Sequence, residues 1–238
     1  MSSVHNFAAP HMIAAHAPVD ARTAFIQRTY LHLAGAILAF ALLEAVLLST
    51  PIAGAIVNTM VGSQYGWLLV LGLFMGTGWV ADKWARSGTS ASTQYAGLSL
   101  YIVAEAIIFL PLLYVAANYA GPMVIPTAGI LTLTLFAGLT AVAFTSRIDF
   151  SFLGKALMIA GFVAMGTIVA AIIFGISLGL FFSVAMVGLS GGYILYSTSQ
   201  IMFHYRTDQH VAASLSLFAS VALMFYYVLR IVMSLNRD

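Results

Sequence analysis

Stretches of mainly apolar residues follow one another along the chain, separated by short polar or Pro- and Gly-containing breaks. A helix needs about 20 apolar residues to cross the hydrocarbon core of a bilayer. Because the connections are short, we expect one all-α bundle of seven transmembrane helices in residues 22–238, after a mobile cytoplasmic tail at residues 1–21. The predicted spans are residues 30–50, 66–82, 95–118, 123–145, 152–174, 178–203 and 212–234.

Composition agrees with a membrane protein and excludes several other classes. Apolar residues make up 62% of the chain and charged residues only 7%, whereas soluble domains carry about 25% charged residues. The net charge of +2 gives no indication of a surface that binds nucleic acid. The absence of cysteine excludes disulfides and thiolate metal sites.

The placement of basic residues predicts the orientation. Cytoplasmic segments of membrane proteins are enriched in Lys and Arg. With the N-terminus in the cytoplasm and the C-terminus outside, seven basic residues fall on the cytoplasmic side: Arg22, Arg28, Lys83, Arg86, Arg147, Lys155 and Arg206. The N-terminal residues resemble no cleavable signal, so we expect insertion into a bacterial inner membrane.

The motif GLSG at residues 188–191 is also found around the nucleophile of intramembrane serine proteases. A serine nucleophile needs a general base within hydrogen-bond reach, and His204 lies 14 residues beyond Ser190, about 21 Å along a helix. Gly188 and Gly192 instead form a GxxxG face that permits close helix packing. We therefore expect a packing surface and no enzymatic activity.

Polar residues on the last two predicted spans fall on helical faces that we expect to meet inside the bundle. They are Ser190, Tyr193 and Ser197 on the sixth span, and Ser216, Ser220 and Tyr227 on the seventh.

Two acidic residues lie within predicted spans, Glu44 in the first and Glu105 in the third. An ionisable group in the bilayer costs about 2.5–3.5 kcal/mol and often marks a pathway or a partner. Carboxylates also suit hard cations such as calcium. Glu105 is therefore a candidate for an ion pathway or for a structural contact, and Glu44 for a pathway or for an interfacial position.

Charged groups outside the spans predict surface contacts. We expect Arg147 and Asp149 to form a cytoplasmic ion pair. Histidines in the tail (His5, His11, His16) and the group His204, Asp208 and His210 have the ligand types of a metal site, but a solvated segment is the commoner structure for each. We therefore predict neither a bound metal nor a cofactor.

Three segments carry a resemblance that covers about residues 22–235. GYILYSTSQIMFHYRTDQHVAASLSLFASVALMFYYVLRI begins at Gly192, AEAIIFLPLL spans residues 104–113, and FTSRIDFSFLGKAL spans residues 144–157. Together they resemble the Bax inhibitor-1 (transmembrane Bax inhibitor motif) family, especially its bacterial YccA-like branch.

The resemblance implies a central last helix surrounded by the other six, and two functions. Channel members of the family are pH-sensitive calcium leaks gated by two aspartates, whose positions correspond here to Ser197 and Ser220. Because serine does not titrate near neutral pH, we expect a calcium leak without this gate. The alternative is a regulator that binds a membrane-anchored ATP-dependent protease, with the N-terminal tail as a contact.

Overall fold

The computed structural model describes residues 12–62, 64–87 and 90–236, and the described chain is almost entirely helical. Within these residues, eight α-helices follow one another: α1 Val19–Leu48, α2 Ile52–Val61, α3 Gln64–Ala85, α4 Ala91–Tyr119, α5 Val124–Ser146, α6 Leu153–Phe174, α7 Leu180–Phe203 and α8 His210–Leu235. Short 3₁₀ helices at Ala14–His16 and Phe150–Phe152 precede α1 and α6.

Six of these helices, α1 and α4 to α8, are long and apolar enough to cross a membrane. Their exteriors bear large exposed apolar side chains, for example Leu38, Phe162 and Phe181, as expected for helices that contact the bilayer. Helix α3 has 22 residues, but Gly, Thr and Trp interrupt its apolar run, and it is not one of the six.

Helix α2 was not predicted. Residues 51–62 are apolar, but a stretch of that length is too short to cross the bilayer as a helix. In the structure α2 packs beside α4, where Ala53 and Val57 contact the buried Leu110. The part of the chain that the structure describes therefore has one short α-helix between α1 and α3.

Helix α8 lies at the centre of the bundle, as the resemblance implied. It contacts α1, α3, α4, α5 and α7, and it has the largest buried share of the six candidate spans. Helix α6 packs mainly against α7 and α3. Five of the six predicted surrounding helices therefore contact α8 directly, and α6 adjoins it through the buried cluster of Ala164, Met186 and Tyr227.

The predicted mobile tail is corrected for residues 12–21. Helix α1 already begins at Val19, because hydropathy marks only the apolar part of a helix. Before it, the Ala14 N–H donates to the Tyr205 carbonyl oxygen at 2.8 Å and the Thr207 N–H to the Met12 carbonyl oxygen at 3.0 Å. Ala14 is fully buried, so residues 12–14 are docked on the α7–α8 loop. The rest of the tail, residues 1–11, lies outside the described residues.

Candidate functional site

A cavity of about 900 Å³ lies beside α8 and is lined by α3, α4, α6, α7 and α8. Its lining includes Asp82 and Arg86 near the loop of residues 204–209, which we term the 204–209 end. At the opposite end it includes Arg230, which bonds the loop of residues 175–179, here the 175–179 end. The lining therefore extends between the two ends of the bundle.

Glu105 lies in the middle part of this cavity lining. Its side chain is only 5% exposed, and the Tyr101 hydroxyl, one helical turn earlier, lies next to its carboxyl group. Helix α4 continues unbroken through Pro111, six residues further on. A carboxyl group in a cavity of this size can meet a cation or water, which a carboxyl group packed in the apolar core cannot.

Ser197 and Ser220 line the same cavity. The Ser197 hydroxyl is 3.0 Å from the Ser216 hydroxyl across the α7–α8 interface, and Ser220 donates to the Ser216 carbonyl oxygen at 2.9 Å. The predicted meeting of two polar faces is therefore confirmed at Ser197 and Ser216.

The other two residues of the predicted polar face of α7, Ser190 and Tyr193, bond elsewhere. Ser190 donates to the Val187 carbonyl oxygen of its own helix, and its side chain is fully buried. The Tyr193 hydroxyl donates to the Leu157 carbonyl oxygen of α6 at 2.9 Å. The Ser190 bond stays within α7, and the Tyr193 bond joins α7 to α6. Neither bond gives Ser190 a general base.

Glu44 does not join Glu105 in the cavity lining. Its side chain is 4% exposed, and neither carboxyl oxygen has a hydrogen-bond partner among the described residues. This burial corrects the interfacial alternative, because residue 44 lies on the inner stripe of α1 that also contains Phe40, Ala36 and Leu33.

The GxxxG prediction is corrected at one of its two glycines. A Cβ atom on Gly192 would lie 2.8 Å from Leu157 Cδ2, so α6 approaches α7 closely there. A Cβ atom on Gly188 would meet nothing within 4 Å, because this residue points outward. Among the described glycines, the closest approach between two helices is instead at Gly97 of α4, whose Cβ would lie 2.6 Å from the Ala81 carbonyl oxygen of α3.

The predicted Arg147–Asp149 ion pair is also corrected. Asp149 Oδ2 lies 2.9 Å from His204 Nε2, and Asp149 Oδ1 accepts from the Ser199 hydroxyl at 3.1 Å and from the Ser151 N–H at 3.0 Å. Desolvation raises the pKa of Asp149, but these hydrogen bonds together outweigh it and hold the pKa below its ordinary value. Asp149 thus ties the α5–α6 loop to the end of α7.

At the 204–209 end, Arg86 and Tyr205 form a contact that the sequence did not indicate. The Arg86 Nε donates to both carboxylate oxygens of Asp82 at 2.8 and 2.9 Å, and its guanidinium lies 5.7 Å from the centroid of the Tyr205 ring. Burial raises the pKa of Tyr205, and the neighbouring Arg86 opposes this shift. Because Ala14 bonds the Tyr205 backbone, the N-terminal segment is linked to the residues at this end of the cavity.

The residues considered for a metal site have separate partners. His204 bonds Asp149, Asp208 bonds Arg206, and the His210 ring lies 4.9 Å from the His32 ring. Within residues 12–62, 64–87 and 90–236, no three metal-ligating side chains converge. His5 and His11 lie outside the described residues.

Comparison of the sequence with known proteins identifies relatives and a family. Uncharacterized proteins of Neisseria meningitidis, from serogroups A and B, are each 29% identical over 185 residues, which cover 74% of this chain and 77% of theirs. An uncharacterized protein of Pseudomonas aeruginosa is 32% identical over 151 residues, or 63% of this chain and 64% of its own. The family described as "Inhibitor of apoptosis-promoting Bax1" matches residues 22–237. The chain therefore belongs to the Bax inhibitor-1 family of membrane proteins.

Proposed function

We propose that the protein is a cation leak, with calcium as the transported ion, and that the cavity beside α8 forms part of the pathway. The observation that carries this proposal is the presence of Glu105, Ser197 and Ser220 in the lining of one cavity. A carboxylate and several hydroxyls supply the oxygen ligands that a hard cation prefers.

Four further proposals accompany this one, three on the arrangement in the membrane and one on activity. Helix α3 is the seventh span, because its 22 residues rise about 33 Å, the thickness of a hydrocarbon core. The 204–209 end faces the cytoplasm, in agreement with the distribution of basic residues. The protein resides in a bacterial inner membrane and is not an enzyme.

The pathway should lack a titratable gate at the positions that the resemblance aligned with the two aspartates. Ser197 and Ser220 do not change charge between acid and neutral pH, and restoring two acids there would introduce mutual repulsion that depends on protonation.

Calcium efflux from liposomes tests this proposal. The full-length chain should release calcium, and Glu105→Gln should reduce the rate by about tenfold, the effect of losing about 1.4 kcal/mol of cation stabilisation. Glu44→Gln is the matched control, because Glu44 is equally buried but lies outside the cavity lining. No efflux from a folded chain, or equal losses in both variants, would refute the assignment of the pathway to Glu105.

A restored gate gives a second arm of the same assay. Efflux through the Ser197→Asp, Ser220→Asp double variant should depend on pH between acid and neutral conditions, whereas the native chain should not show this response. A steep acid-to-neutral response that originates at Ser197 and Ser220 in the native chain would contradict the absence of a gate.

A regulator of a membrane-anchored ATP-dependent protease is the second candidate. The observation that favours it is the docking of residues 12–14 on the α7–α8 loop, which places Met12 at the 204–209 end. Deletion of residues 1–11 should weaken binding to such a protease in a pull-down and leave calcium efflux intact. Loss of efflux on deletion would contradict this division of roles.

A further inference from the structure

A second cavity of about 580 Å³ lies at the 175–179 end, between α4 and the start of α7. It shares Trp67, Tyr226 and Arg230 with the larger cavity, so the two are neighbours around the same arginine. Most of its remaining wall is apolar, formed by side chains such as Met60, Leu112 and Val115. It therefore combines one cation with an apolar interior.

Arg230 supplies positive charge that no acidic side chain of the described residues neutralises. One of its terminal nitrogens donates to the Leu178 carbonyl oxygen at 2.9 Å, and its guanidinium lies 5.8 Å from the Tyr227 ring. Among the described residues, no carboxylate lies within ion-pair distance of it, in contrast to Arg86 and Arg206. Because a guanidinium has five N–H donors in a planar fork, most of them remain for an anion.

The start of α7 adds further donors to the same cavity. Gly179 and Leu180 line it, and no side chain caps this helix N-terminus. The free N–H groups and the helix dipole of such an end favour a negative group.

Ser183, one turn into α7, also lines the cavity. It is only 3% exposed, yet its hydroxyl forms no hydrogen bond within the part of the chain that the structure describes. Its hydroxyl can therefore donate to a group that enters the cavity.

We propose that this cavity binds an anionic phospholipid of the membrane, with the headgroup phosphate at Arg230, Ser183 and the α7 N-terminus. The acyl chains lie against the apolar wall. A phosphate satisfies the three kinds of donor at once, and the apolar lining distinguishes a lipid from a free anion. A guanidinium binds a phosphate through charge-assisted hydrogen bonds. This inference is independent of ion flux, because it concerns a resident lipid.

Fluorescence of Trp67 can test the site directly, because this residue lines both cavities. In the full chain with Trp79→Phe and Trp84→Phe, Trp67 is the only tryptophan. Brominated phosphatidylglycerol should quench Trp67 more strongly than brominated phosphatidylcholine at the same bromine content. Equal quenching by the two lipids would overturn the proposal.

Variants assign the preference to the proposed donors. Arg230→Gln should weaken the preference by about tenfold, Ser183→Ala should weaken it less, and Arg230→Lys should restore part of it. Arg147→Gln, at an exposed arginine of the 204–209 end, is the matched control and should keep the preference. A preference that persists in Arg230→Gln would overturn the assignment.

Two controls keep the result interpretable. If Arg230→Gln does not fold, as judged by gel filtration and thermal melting, Ser183→Ala and Arg230→Lys are compared with Arg147→Gln. In that comparison, unchanged lipid preference in both site variants would refute the site. Excess inorganic phosphate should leave the quenching unchanged, and abolition of the preference by phosphate would refute a lipid in favour of a small anion.

Discussion

Replacement of Gly97 by alanine tests the close contact between α3 and α4. Gly97 is buried on α4, and a Cβ atom there would lie 2.6 Å from the Ala81 carbonyl oxygen, 2.8 Å from the Ala85 nitrogen and 3.0 Å from Trp84 Cβ. Two of these atoms belong to the α3 backbone, which cannot rotate away as a side chain can. The methyl group therefore requires α3 and α4 to separate.

The magnitude follows from two opposing effects. Overpacking of a close contact costs about 1–3 kcal/mol, and rigid backbone neighbours place Gly97→Ala near the upper limit. Alanine regains about 1 kcal/mol relative to glycine in a helix. We expect a net loss of about 2 kcal/mol, which corresponds to a melting temperature lower by roughly 4–8 °C for a chain of this size.

Gly76→Ala on α3 is the matched control, because its Cβ would meet nothing within 4 Å. This variant should be as stable as the native chain or slightly more stable. Thermal unfolding in detergent, followed by circular dichroism, measures both variants. If Gly97→Ala melts at the same temperature as Gly76→Ala, the close packing of α3 on α4 is refuted.

Two further contacts give predictions at the 204–209 end. Ala14→Asp should detach the N-terminal segment and increase its rate of proteolysis, because Ala14 is fully buried and an unpaired buried charge costs several kcal/mol. Ala15→Asp, at an exposed position, should not increase proteolysis. Equal cleavage of both variants would contradict the docking of this segment. Asp149→Asn should lower the melting temperature at neutral pH. Because hydrogen bonding lowers the pKa of Asp149 in the folded protein, its contribution is present above the ordinary aspartate pKa of about 3.9 and is lost as the pH falls through the lowered value. The difference between the native chain and Asp149→Asn should therefore disappear in strong acid, and a difference that grew on acidification would contradict this sign.

Apolar run length by itself determined the helical class and most helix boundaries. The last four predicted spans end within two residues of α5, α6, α7 and α8, because each run of apolar residues stops where a polar or Gly-containing connection begins. The resemblance added the family and the central place of the last helix. Run length missed α2, since a helix of ten residues is too short to be distinguished from a loop by hydropathy.

Only the tertiary structure decided which candidate residues meet. Local spacing places Ser197 on a polar helix face, but the rotation of α7 against α8 selects Ser216 as its partner. Arg147 and Asp149 are close in sequence, yet the fold brings His204 and Ser199 to Asp149 across about 50 positions. Likewise, two glycines in a GxxxG motif look equivalent, and the direction in which α6 approaches α7 makes Gly192 a contact and leaves Gly188 exposed. A side chain's type and helix face follow from local sequence, whereas its partner depends on how whole helices are oriented, which is set by contacts distributed over the entire bundle.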